Sequence, residues 1–317
     1  MAKAQQVEVD GRELKLTNLD KVLYPKTGFT KGEAIDYYAN VAPAILPHLR
    51  GRALTLRRFP EGVDDAEAAF FEKRCPKHRP EWVKTAAVEA GPHAGVIDFC
   101  VCEDRPTLVW MAQLASIELH PSLSLADEPD RPTVLAFDLD PGPPADVVDC
   151  CRVALRLREL FDHFGLQCLP KTSGSKGLQV YLPLNDPKVT YEAEGTEGEG
   201  TEGEGTKPFA RAIAQLLEKQ TPDLVVSKMK KAERKGKVFV DWSQNHRRKT
   251  TIAVYSLRAR ERPTVSTPLT WEEVEAAVKR EDPDSLAFEA KDVLKRVDAH
   301  GDLFAPALEL TQKLPEL

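Results

Sequence analysis

The sequence predicts an α/β (α+β) protein, with mixed central sheets flanked by helices. Two observations carry this. Amphipathic stretches of helical length open at residues 30, 145 and 207 and again after 270. Between them lie short apolar runs of strand length at 53–58, 94–102, 133–140, 166–172, 177–184, 238–241 and 250–257, bounded by Gly- and Pro-bearing turns. The chain of 317 residues, 42% hydrophobic and 30% charged, has ordinary globular composition and room for one large domain or two modest ones sharing a core.

Taken in order, a first module runs from Val7 to about Ser124. Thr30 reads as an N-cap, with Glu33 completing a capping box for a helix that ends near His48. A second helix is expected over 107–119, stopped by Pro121. Residues 133–140 read as a central strand, and Pro141-Gly-Pro-Pro144 turns the chain into a helix over 145–164 that Gly165 ends. Two strands joined by Ser173-Gly-Ser-Lys176 follow, then a helix over 207–220, a basic loop at 228–237, strands at 238–241 and 250–257, and a final helical region. Residues 194–206 repeat Gly-Thr-Glu-Gly-Glu with nothing apolar to bury, so a disordered acidic insertion is expected there.

No apolar run approaches the ~20 residues that span a bilayer, and the N-terminus has no apolar signal-peptide core. The expectation is a cytoplasmic protein without membrane contact, its six cysteines reduced. Cys75-Pro-Lys-His78 has half the spacing of a zinc site, but no second ligand pair follows, and buried or incidental thiols are the better reading. The net charge of −6 is unevenly spread. Between Lys228 and Arg262 twelve Lys/Arg face three acids, a net +9 that leaves −15 elsewhere. A basic stripe on an acidic body suits a phosphate-backbone partner, although a solvated basic face has the same composition.

Asp138 and Asp140 lie at i and i+2 of a predicted strand, so both carboxylates project from one face, roughly 7 Å apart. Paired in this way against an apolar strand they suit divalent cations for phosphoryl transfer. Asp241 ends a second apolar strand and would supply the third carboxylate, a turn aspartate being the plainer reading. In Ser173-Gly174-Ser175-Lys176-Gly177 the glycines expose backbone N–H groups, the hydroxyls donate and Lys176 adds charge, the parts of a phosphate cradle that also serve an ordinary strand connection. Gln244, Lys249 and Arg258 lie on or beside the strands around Asp241 and could balance a triphosphate. Phe70 and Phe71 could stack on a base, but on pattern alone they read as core.

Together these segments resemble the polymerase domain of bacterial ATP-dependent DNA ligase D, in the archaeo-eukaryotic primase superfamily. The resemblance rests on Leu-Thr-Asn-Leu-Asp-Lys-Val-Leu-Tyr-Pro (16–25), Phe-Phe-Glu-Lys (70–73), Pro-Thr-Leu-Val-Trp (106–110), Phe-Asp-Leu-Asp-Pro-Gly (137–142), Thr-Ser-Gly-Ser-Lys-Gly-Leu (172–178), Val-Phe-Val-Asp-Trp-Ser-Gln-Asn (238–245) and Lys-Thr-Thr-Ile-Ala (249–253). It implies one primase-type polymerase domain over 1–317 with its active site in a cleft. The N-terminal lobe would be about 1–125, the catalytic region about 126–262 and the C-terminal helical region about 263–317. It further implies addition of nucleotides, ribonucleotides preferred, to 3′ ends at DNA breaks and gaps in non-homologous end joining, with two Mn²⁺ or Mg²⁺ ions and an NTP or dNTP substrate.

By position, Asp138, Asp140 and Asp241 match the family's metal-binding acids, and His120 matches an active-site histidine. Arg57, Ser173, Gly174, Ser175, Lys176, Gln179, Gln244, Lys249 and Arg258 fall in the nucleotide pocket. Lys21 and Lys31 fall where the family grips a downstream 5′-phosphate, Phe70 and Phe71 where it stacks on the template, and Arg234 where two DNA ends meet. Gln179 departs from the pattern, since the family usually has histidine there and glutamine cannot carry a charge. The partners implied are DNA ends with a 5′-phosphate and 3′ overhang, gapped DNA, Ku and, as no Lys-x-Asp-Gly ligase motif is found in this stand-alone chain, a separate ATP-dependent ligase, all at the nucleoid. The alternatives are a primase starting strands de novo and a non-catalytic end-bridging module.

Overall fold

The computed structural model describes residues 4–315 except 66, 92 and 193–204, so residues 194–204 of the acidic repeat lie outside the described residues. The chain forms two compact units. The first is Met1–Ser122 with Thr250–Ser266 and Phe288–Asp302, and the second is Leu123–Lys249 with Thr267–Ala287 and Leu303–Leu317.

The first unit begins with two antiparallel ribbons, β1 (Ala4–Val9) with β2 (Arg12–Thr17), and β3 (Val22–Tyr24) with β4 (Phe29–Thr30). Helix α1 (Lys31–Leu49) follows, and the predicted capping box is present: Thr30 Oγ1 accepts from Glu33 N at 3.2 Å, and Glu33 Oε2 accepts from Thr30 N at 2.8 Å. β5 (Leu54–Arg58), β6 (Phe70–Glu72), β7 (Thr85–Glu89) and β8 (Val96–Cys100) lie in the order β6-β5-β8-β7. After α2 (Arg105–Gln113) comes β9 (Ser116–Pro121), which also pairs with β5.

In the second unit β10 (Val134–Pro141) is followed by α3 (Val147–His163), β11 (Leu169–Thr172), β12 (Leu178–Pro183), α4 (Thr206–Gln220), β13 (Val225–Val226), β14 (Val238–Asp241) and α5 (Trp271–Arg280). Helix α6 (Ala290–His300) returns to the first unit and α7 (Pro306–Glu309) to the second. The sheet runs β11-β12-β10-β14-β13, antiparallel except for β13 with β14. β10 is its middle strand, with Leu135, Ala136, Phe137 and Leu139 fully buried, and α3 and α4 pack on it. That burial explains its near-continuous apolar run.

Four expectations need correcting. The helix expected over 107–119 stops at Gln113, where Ala115 takes φ 57°, and 116–121 is the strand β9. The apolar spacing fits a helix as well as a strand, and pairing with β5 decides it. Residues 250–257 run beside β9, with Thr251 N donating to Pro121 O and Ala253 N to Leu119 O, yet form isolated bridges rather than a strand. Cys75 and Cys100 are joined as a disulfide, because the loop after β6 folds back and Cys75 N donates to Asp98 O on β8. Finally, the last two residues of the acidic repeat are ordered: Gly205 bridges Thr190, and Thr206 opens α4 fully buried. Among the described residues no helix is long and apolar enough to cross a membrane.

Candidate active site

The antiparallel register of the second unit's sheet sets Lys171, Gln179, Asp138 and Asp241 in one row across β11, β12, β10 and β14. Opposed residues in neighbouring strands share a face, and Asp140, two residues beyond Asp138, shares it too. Burial, with the Asp140 and Asp241 charges, pushes the Asp138 carboxyl up to about 7, while a hydrogen bond from Gln179 and the charge of Lys171 act against the rise. Asp241 is also the turn aspartate of the plainer reading. Its Oδ1 accepts from Ser243 N at 2.9 Å and Ser243 Oγ at 2.6 Å, and its Oδ2 from Gln244 Nε2 at 2.9 Å. Gln244 thus positions a carboxylate. Held by its own loop, Asp241 does not close a cage with the other two, and among the described residues no three His, Cys, Asp or Glu side chains stand ready to enclose an ion.

Two residues of this site are missing from the sequence reading. Lys171 is fully buried with Nζ 5.4 Å from the centroid of the Tyr181 ring, a cation inside an apolar strand that sequence could have flagged. Asn245, also fully buried, does for β10 what a strand would. Its Oδ1 accepts from Ala136 N at 2.9 Å and its Nδ2 donates to Ala136 O at 2.8 Å, just where β14 stops pairing. Asn245→Ala should therefore cost about 2–4 kcal/mol in urea unfolding, since it strands a buried N–H and C=O. A loss below about 1 kcal/mol would show that water replaces the amide.

The glycine-rich loop is closed on itself. Ser173 N donates to Gly177 O at 3.0 Å, and Ser173 Oγ accepts from Ser175 N at 3.3 Å and Gly177 N at 3.2 Å. The Ser173 hydroxyl therefore shapes the loop, Gly174 takes φ 67°, and Lys176 is exposed. Gly177 passes against β10 so closely that a Cβ would sit 2.1 Å from Leu139 O, between the two aspartates. A Cβ on Gly142 would meet the basic loop just as closely, 1.9 Å from Arg234 O, while the Arg234 guanidinium lies 3.6 Å over the Phe239 ring. Lys249 is exposed, at the end of a turn in which its N donates to His246 O.

The first unit holds a second cluster. Glu118, 1% exposed on β9, receives Arg258 Nε and Ala259 N on Oε1, both at 3.0 Å, and Arg57 Nη1 at 3.2 Å on Oε2. His120 Nε2 is 3.1 Å from the same Oε2. Burial works against ionisation, but His120, Arg258 and the Ala259 N–H outweigh it and hold the carboxyl far below its usual range. The His120 imidazole is pushed down, first by burial, with Arg258 and Arg57 adding to that against Glu118. Arg260 is pushed down as well, by burial and then by Arg258, with Arg57 adding, so positive charge exceeds negative here. Phe71 packs edge-on against His120 at 5.7 Å and under the Arg57 guanidinium at 5.2 Å. Phe70 and Phe71 are not core: they are 42% and 58% exposed on β6, with Arg58 over Phe70.

Lys21 and Lys31 are brought side by side, because Lys31 N donates to Lys21 O at 2.8 Å. Lys21 Nζ pairs with Glu61 at 2.7 Å, and the buried Lys31 Nζ donates to Thr17 O at 2.9 Å. Burial lowers the Lys31 amine to about 8, with the Lys21 and Arg58 charges adding to the effect.

A face of three carboxylates beside a glycine-rich loop is the equipment of phosphoryl-group chemistry. The LigD primase-polymerase domain family model matches residues 30–304. The multifunctional non-homologous end joining protein LigD of Mycolicibacterium smegmatis is 42% identical over 295 residues, 92% of this chain and 36% of that protein. The bifunctional LigD of Bacillus subtilis is 32% identical over 267 residues, 84% and 40% respectively. The solved polymerase domain from Mycobacterium tuberculosis Ligase D, in complex with DNA, superposes with a TM-score of 0.81 at 39% identity, covering 94% of this chain and 99% of that one. The chain belongs to the LigD primase-polymerase domain family and is a nucleotidyltransferase. It spans about a third of the length of the mycobacterial relatives it matches.

Proposed function

We propose that the chain adds nucleotides, with a preference for ribonucleotides, to 3′ ends at DNA breaks and gaps during non-homologous end joining, and that it reads the downstream 5′-phosphate. The observation that carries the chemistry is the in-register row Gln179–Asp138–Asp241 with Asp140 on the same face. Asp138 and Asp241 are half-buried and Asp140 is exposed on that face, and their hard, mutually repelling carboxylate oxygens suit two divalent ions of the Mn²⁺ or Mg²⁺ kind, which when bound would supply Lewis acidity and offset charge on the transferring phosphoryl group. Asp138, Asp140 and Asp241 would hold them. Ser173, Gly174, Ser175, Lys176, Gln179, Gln244, Lys249, Arg57, His120 and Arg258 would orient the NTP or dNTP. Phe70 and Phe71 would meet the template, and Arg234 the second end. Ku and a DNA-ligase activity are the partners such a role calls for, at the nucleoid.

The juxtaposed Lys21 and Lys31 favour break recognition over de novo priming, since two amines suit a doubly charged terminal phosphate. Lys31 donates its full charge only below about pH 8. Gapped DNA with a 5′-phosphate should therefore bind about 5- to 150-fold tighter than unphosphorylated DNA at pH 7, about 1–3 kcal/mol, and lose part of that advantage by pH 9. Fluorescence anisotropy at fixed salt measures it. Primer extension on the same gapped duplexes, with ribo- and deoxynucleotides, tests the whole reading. Absence of templated addition would remove it, and equal extension regardless of the 5′-phosphate would move a priming role ahead.

A further inference from the structure

Glu118 is the most thoroughly engaged buried charge in the first unit and has no role in the reading above. Four groups converge on its two oxygens: the guanidinium groups of Arg57 and Arg258, the Ala259 N–H, and the His120 ring. An ionised carboxylate only accepts hydrogen bonds, so the His120 nitrogen facing it must carry the proton. A neutral ring then has its lone pair on Nδ1, on the far side from Glu118.

We propose that Glu118 is a positioning residue for nucleotidyl transfer, fixing His120 as the Nε2–H tautomer and aiming Arg57 and Arg258 by one shared carboxylate. The consequence is chemical. Nδ1 of His120 is offered as an acceptor, so on a nucleotide it takes a sugar hydroxyl or a base N–H and never a phosphate oxygen. Phosphate oxygens fall to the guanidinium groups of Arg57 and Arg258, which can only donate. One buried group thereby assigns opposite halves of a nucleotide to neighbouring side chains. Tyr24 supports the arrangement by donating its hydroxyl to Arg258 O at 2.9 Å. The inference rests on the nucleotidyl-transfer reading for its substrate but not for its tautomer.

Two measurements test it. Nitrogen-15 histidine spectra of the wild-type chain at pH 7.5, with the His120 signals assigned by their loss in His120→Ala, should show a neutral ring protonated on Nε2. A ring protonated on Nδ1, or on both nitrogens, overturns the proposal whatever the enzyme's activity, so this arm stands apart from the functional reading. The second arm is a double-mutant cycle in single-nucleotide addition. Glu118→Gln should lower kcat/KM for the nucleotide about 10- to 100-fold, the usual cost of losing a group that orients a histidine, with DNA affinity within 2-fold. The share of that cost carried through the imidazole should vanish in a His120→Ala background, leaving the share carried through Arg57 and Arg258. Full additivity, or an equal loss of DNA affinity, would make Glu118 a structural ion-pair centre only. If Glu118→Gln does not fold, Glu118→Asp takes its place in the cycle and the wild-type spectrum decides the tautomer.

Discussion

Asp138→Asn is expected to lose nucleotide addition by about 10³-fold or more while gaining stability. The loss follows from removing a charge at the centre of the carboxylate row, where stabilisation of the transferring phosphoryl group originates. The gain has the opposite sign for the same reason. Burial beside Asp140 and Asp241 raises the folded-state carboxyl to about 7, against an ordinary value near 3.8. A group raised on folding contributes most below its unfolded value, and that contribution is lost as pH climbs through the folded one. In chelator-containing buffer the variant's advantage should accordingly grow between about pH 4 and pH 7 and stay level above, reaching about 2–4 kcal/mol. Adding Mn²⁺ should raise the melting temperature of the wild type more than that of the variant. An active variant would remove Asp138 from the chemistry, and one no more stable at pH 8 than at pH 5 would mean that Lys171 already neutralises the row.

Gly177→Ala should be a highly damaging single-methyl change. The added carbon would lie 2.1 Å from Leu139 O and 3.3 Å from Pro141 Cδ. Both contacts are on β10, so either the glycine-rich loop lifts or the segment carrying Asp138 and Asp140 moves. A displacement near 1 Å among reacting groups costs about 10²-fold, and overpacking costs about 1–3 kcal/mol. Steady-state kinetics should show nucleotide KM raised and kcat lowered together. Gly174→Ala is the control: its φ of 67° strains an alanine by only about 1 kcal/mol. If the two variants behave alike, the close approach to Leu139 is not what shapes the loop.

The carboxylate row was legible because strand periodicity is local: i and i+2 share a face wherever the strand lies, so Asp138 and Asp140 could be paired before any fold was known. Asp241 was legible as the end of an apolar run. Its partners were not, because Gln244 reads equally well as a ligand for triphosphate or a prop for its neighbour, and only geometry shows its amide on Asp241 Oδ2. Glu118 was hidden by a wrong element. A helix over 107–119 would part Glu118, in its last turn, from His120, outside it, whereas on β9 the two share a face. The Cys75–Cys100 bond was hidden by a sequence separation of 25, which no spacing rule bridges. Phe70 and Phe71 show the limit of composition, since the same pair fills a core or, here, remains open on an edge strand.

Thr190, before the acidic repeat, and Gly205, near its end, are joined to each other: they bridge, and Thr206 N donates to Thr190 O at 2.9 Å. Whatever length of chain runs between them, its two ends are pinned a bond apart. The catalytic register, by contrast, tolerates no slip of even one residue in β10, β12 or β14 without turning an aspartate to the opposite face. A change of length between Thr190 and Gly205 thus meets a flanking chain already held by that bridge, whereas a change within those strands is read at once by the aspartates.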